Sequence, residues 1–287
     1  MASLTSRLEH AIKPDALRAY LAEFISTFLF VFAAVGSAVA SSEFVLWVFF
    51  SPSHCNFFFF KIFVIVIFVY FYWVLRNVGV QIAEKMMPDA TTDPSALVAV
   101  AVANAFALSV AVYIAANVSG GHVNPAVTFG MAVGGHISVP MAIFYWISQL
   151  LASVMACLLF KVTTVSQHIP THGIQQEMTG FGASVLEGLM TFTLVYTFYA
   201  ARDPRRGPLG AIGPLVIGLV SGANVLASGP FTGGSMNPAY SFGSALIGWR
   251  FKNQAVYWIG PLIGAGLASV VYDNVVFAVQ IADGIGV

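Results

Sequence analysis

Two eleven-residue frames repeat along this chain: Gly-Gly-His122-Val-Asn124-Pro125-Ala126-Val-Thr-Phe-Gly130 and Gly-Gly-Ser235-Met-Asn237-Pro238-Ala239-Tyr-Ser-Phe-Gly243. A single Asn-Pro-Ala triplet arises by chance. Two of them, with Gly-Gly and Phe-Gly at matching offsets, mark an internal duplication. In a chain with 58% hydrophobic and 8% charged residues and a mean hydropathy of +0.84, that duplication lies in a bilayer. Repeated halves with the site at their interface are the usual plan of membrane transport folds.

Apolar runs long enough to cross about 30 Å of hydrocarbon are expected near 18–41, 96–116, 140–162, 181–201, 210–228 and 254–276. Two shorter pieces, 125–134 and 238–248, follow the triplets directly. At about 1.5 Å per residue they reach roughly half way across and read as half-helices. Pro125 and Pro238 suit the first helical position, Asn124 and Asn237 the cap before it, and Gly134-Gly135 and Gly248 the stops. The expected fold is an all-α membrane protein of six spans and two half-helices. It forms one channel domain over 1–287, with inverted repeats at 18–162 and 180–276.

Arg7, Lys13 and Arg18 precede the first span, and Arg202, Arg205 and Arg206 follow the fourth. Six spans put both clusters and both termini on the cytoplasmic side. The segment 43–84 disturbs this pattern. Glu23 and Glu187 sit in matching frames 164 residues apart, whereas the Asn-Pro-Ala motifs are 113 apart. The first half therefore carries 51 extra residues, most of them an apolar insertion. A seventh span there would break the parity of the basic clusters. Three readings stay open: a surface segment, a re-entrant hairpin, or translated intron sequence.

Two half-helices entering from opposite faces bring their N-termini together near the midplane. Each end offers unpaired N–H donors and roughly half a positive charge. Water passing there orients its oxygen toward both donors, which breaks a proton-conducting chain, while the positive ends repel cations. The spans hold almost no ionisable residues besides Glu23 and Glu187, so an ion-coupled site has little to work with. A passive path for small neutral molecules is expected, with a coupled secondary transporter or a non-conducting subunit as alternatives. No nucleophile–base pair suggests an enzyme, neither a cofactor nor a nucleic-acid partner is expected, and His54-Cys55 is a weak case for a metal.

These motifs resemble the aquaporin (major intrinsic protein) family, and more narrowly the plant tonoplast intrinsic proteins. The likeness rests on Ala22-Glu23-Phe24, the stretch Ser119 to Thr128, Gly222-Ala-Asn224, and the stretch Gly229 to Ala239. It implies a pore in each protomer, a homotetramer or heterotetramer with related channels, and residence in the vacuolar membrane. Permeants would be water and small neutral solutes such as urea, glycerol, ammonia or hydrogen peroxide. It further implies that Glu23 and Glu187 support the half-helix loops, and that Asn104, Val225, Gly234 and Tyr240 form the narrow filter. Tyr240 departs from the family, most of whose members carry arginine there. His172 resembles a loop histidine that reaches the pore mouth.

Overall fold

The computed structural model describes residues 4–40, 94–164, 168–203 and 212–276. The expected insertion at 43–84, with His54 and Cys55, lies outside these residues. A short helix α1 (Leu4–Ala11) leads into α2 (Pro14–Ala40), α3 (Pro94–Ala115) and α4 (Pro125–Val133). Then come α5 (Val139–Thr163), α6 (Gly180–Arg202), α7 (Ile212–Thr232), α8 (Pro238–Gly248) and α9 (Val256–Val270), which ends in a π turn over Val271–Val276. Among the described residues, α2, α3, α5, α6, α7 and α9 with its π turn are the six helices long and apolar enough to cross a membrane. The protein is an integral, multi-pass membrane protein. Large apolar side chains such as Phe106, Tyr113, Phe181 and Val185 face outward, as a lipid-facing surface requires.

The half-helices α4 and α8 start where the sequence punctuates them. Asn124 and Asn237 have extended backbone, and each proline takes the first helical turn, where its missing N–H costs nothing. The Asn124 side chain accepts from the Ala126 N–H, and that of Asn237 from the Ala239 and Tyr240 N–H groups. The far end of α8 falls at the expected bound, with the left-handed turn one residue beyond the glycine. Helix α8 runs through Gly248, and Trp249 takes the left-handed turn at φ 56°. Gly248 is small for another reason: a Cβ there would press on the Ile169 carbonyl at 3.0 Å and on Thr171 at 2.8 Å.

Small residues set the interhelical spacing. Gly218 and Gly222 on α7 lie against the Ala105 and Ala101 carbonyls of α3. Gly260 and Gly264 on α9 lie against Ser184 and Gly188 of α6. Close backbone approach at small residues is how membrane helices gain packing when lipid offers no hydrophobic drive. Each half-helix is seated on the opposite half of the molecule: Gly130 of α4 meets Ala265 of α9, and Gly243 of α8 meets Ser153 of α5.

Candidate functional site

The loops that deliver the two half-helices have nearly the same backbone. Gly120 and Gly121 have φ of 94° and 65°, and Gly233 and Gly234 of 85° and 64°. Val123 and Met236 follow at 58° and 54°, a region that side chains rarely enter and a β-branched valine least of all. Such a conformation costs on the order of 1–3 kcal/mol and persists only where its surroundings enforce it. Here they do.

Glu23, fully buried on α2, enforces the first loop. Its carboxylate accepts from the Val123 N–H at 2.7 Å, the His122 N–H at 2.8 Å, the Ser119 hydroxyl at 2.6 Å and the Gln149 amide at 2.8 Å. Glu187 on α6 does the same for the second loop. It accepts from the Met236 N–H at 2.8 Å, the Ser235 N–H at 3.1 Å and the Thr232 hydroxyl at 2.6 Å. Two tyrosines brace the arrangement: Tyr145 donates to the Ser119 carbonyl and Tyr257 to the Thr232 carbonyl, both at 2.8 Å. His122 pairs with Thr128 as Ser235 pairs with Ser241.

The two loops then bind each other. The Asn124 amide donates to the Met236 carbonyl at 2.9 Å, and the Asn237 amide to the Val123 carbonyl at 3.0 Å. The half-helix N-termini therefore meet, as the sequence leads one to expect. Both asparagines line one narrow cavity, walled mainly by Phe30, Leu108, Leu194, Phe198 and Ile217. Each amide nitrogen has a second N–H beyond the one it gives to the opposite loop. Polar donors on one side and apolar walls elsewhere suit a thread of small uncharged molecules.

The residues expected at the filter are brought together only in part. Gly234 lies against Val225, where an added Cβ would come within 3.0 Å of its Cα. The Tyr240 ring is 7% exposed and meets Phe30 edge-on at 5.9 Å and His172 at 4.5 Å. His172 reaches the Ser241 hydroxyl through Nδ1 at 3.1 Å, and burial lowers its ionisation to about 4. Asn104 is buried on α3 and gives its amide to the Val100 carbonyl of its own helix at 2.9 Å. Asn224 is a packing residue, its amide taken by the Met190 carbonyl and the Thr193 hydroxyl.

Sequence reasoning does not find Gln149, Tyr145, Tyr257 or the apolar wall. Gln149 is 126 positions from the carboxylate it serves, and nothing local marks it. The tyrosines do carry a signal, since the Tyr-Trp pairs 145–146 and 257–258 recur in the two halves. Among the described residues no cluster of three or more metal-ligating side chains forms.

Residues 10–272 match the family described as major intrinsic protein. The chain is 51% identical over 278 residues to "Probable aquaporin TIP5-1" of Arabidopsis thaliana, covering 97% of this chain and 92% of that one. It is 49% identical over 261 residues to "Aquaporin TIP2-1" of the same plant, covering 91% and 88%. The aquaglyceroporin from Plasmodium falciparum has the same fold, with a TM-score of 0.66 at 18% identity over 90% of this chain and 96% of that one. With its paired capped half-helices and tyrosine in place of the usual arginine, the chain belongs to the major intrinsic protein, or aquaporin, family, on the tonoplast intrinsic branch.

Proposed function

We propose that the protein is a passive channel for water and small neutral solutes that excludes protons and ions. The family is one of channels, not enzymes. The observation that carries the reading is the reciprocal amide bonding of Asn124 and Asn237 across the half-helix junction. Each asparagine is fixed by the opposite loop while it lines the cavity, so its free N–H is preoriented toward a passing oxygen. Pro125, Ala126, Pro238 and Ala239 complete the junction: the prolines allow the helices to start there, and the buried alanines leave room for the opposite loop.

In this reading Asn104, Val225, Gly234 and Tyr240 sieve the permeants. The filter has no fixed charge, since tyrosine supplies a ring and one hydroxyl. Contacts with Phe30 and His172 hold that ring at the wall, which favours an open, less discriminating filter. Polar solutes such as urea and glycerol then pass along with water. Glu23 and Glu187 are structural clamps on the loops.

The inverted repeats 18–162 and 180–276 account for the matching loop conformations. Both termini lie on the cytoplasmic side, the protein resides in the vacuolar membrane, and it assembles as a tetramer, homomeric or with related channels. The names of the plant relatives support the location. Stopped-flow swelling of vesicles containing the purified protein, run with water, urea and glycerol gradients, tests the proposal. A channel equilibrates each permeant, whereas accumulation against a gradient would make it a coupled transporter.

A further inference from the structure

The face that carries the N-terminus holds a cavity of about 560 Å³. His122 lines both this cavity and the narrow one containing Asn124 and Asn237, so the larger is the vestibule of the smaller. Arg202, in the last turn of α6, projects into the vestibule. Its guanidinium stands 5.1 Å from the centre of the Phe198 ring, and Phe198 walls the narrow cavity. It also lies over Gly120, where an added Cβ would come within 2.5 Å of Nη2 and 2.9 Å of Nη1. The loop's glycine leaves the space this charge occupies.

Arg202 does not behave as an arginine that merely marks a membrane face. Arg7 and Arg18 are exposed, as that role allows, whereas Arg202 is half-buried. Among the described residues its guanidinium makes no hydrogen bond and no ion pair. The nearby Glu23 carboxylate is buried and already accepts four hydrogen bonds. Among the described residues, Glu9 is the single acid in the vestibule wall, against Arg7, Lys13 and Arg202. The net local charge is positive, and Arg202 sits deepest, on the Phe198 ring.

We propose that Arg202 is the fixed charge of this channel: a second selectivity site, in the vestibule, that excludes cations in place of the charge missing at position 240. The inference rests on the channel reading above. A unit charge about 6 Å from a permeating cation, at an effective dielectric near 20, lowers cation occupancy by roughly a hundredfold. Water and neutral solutes feel only its dipolar pull. Phe198 supplies the rigid, apolar platform that keeps the side chain from swinging out to the headgroups.

The test reads proton conductance divided by osmotic water flux in the same vesicles, for wild type and for Arg202→Gln, Arg202→Lys and Arg202→Gln combined with Tyr240→Arg. The ratio rises about tenfold or more in Arg202→Gln, stays near wild type in Arg202→Lys, and returns toward wild type when the arginine at 240 is added. Arg202→Met, which keeps an unbranched stem over Phe198, is the second charge-free variant should the glutamine fail to fold. An unchanged ratio in a water-conducting charge-free variant overturns the role of Arg202. Wild-type swelling no faster than bare lipid overturns instead the channel reading beneath it.

Discussion

The Tyr240 and His172 rings meet edge to face at 4.5 Å, and in the proposed filter their chemistry differs from that of one built on arginine. Replacing Tyr240 by arginine restores a charge and several donors, so urea flux should fall relative to water flux in liposomes; an unchanged ratio would remove Tyr240 from the filter. His172 is held neutral by burial, with its ionisation lowered to about 4 from an ordinary value near 6.5. A depressed histidine stabilises the fold fully above about pH 6.5 and loses that contribution as pH falls toward 4. Flux should therefore be flat from pH 7.5 to 6.5 and decline as the His172 side is acidified toward 4, where a charged ring disturbs Ser241 and Tyr240. His172→Asn should abolish the decline, and a decline persisting in that variant would assign it elsewhere. Glu187→Ala strands the Ser235 and Met236 N–H groups. At about 1–3 kcal/mol per stranded donor, a loss of about 2–6 kcal/mol is expected, read as a lower thermal midpoint in detergent.

At the scale of elements, the half-helices and the close helix pairs carry the architecture. Gly264 packs on the Gly188 backbone, so Gly264→Val must push α9 from α6 and should cost about 1–3 kcal/mol. Thermal unfolding of the purified variant checks this, and an unchanged midpoint would show the contact to be looser than described. The elements were largely legible in the sequence. Spans expected at 140–162 and 181–201 are helices at Val139–Thr163 and Gly180–Arg202, because long apolar runs bounded by proline, glycine and threonine leave little choice. The half-helix starts were equally plain, since asparagine followed by proline both caps and begins a helix. What the sequence hides is tertiary. The left-handed turn falls at Trp249, with Gly248 still inside the helix, and the Asn104 amide bonds the Val100 carbonyl of its own helix. Gln149 reaches Glu23 from 126 positions away in the chain, beyond any local pattern.

At the scale of the whole molecule, the two halves grip each other through the pore. Each half-helix leans on the other half's third span, each asparagine bonds the other loop, and each buried glutamate holds its own loop in a strained conformation. Strain, caps and cross-bonds converge on one narrow cavity, which explains why the duplication was the most informative feature of the chain. The central claim is that this junction passes uncharged molecules and stops protons. Osmotic water flux and proton flux measured together in vesicles containing the purified protein test it most directly. The account predicts water flux well above that of bare lipid with proton flux at the lipid background; water flux at the background, or protons moving along with water, would contradict it.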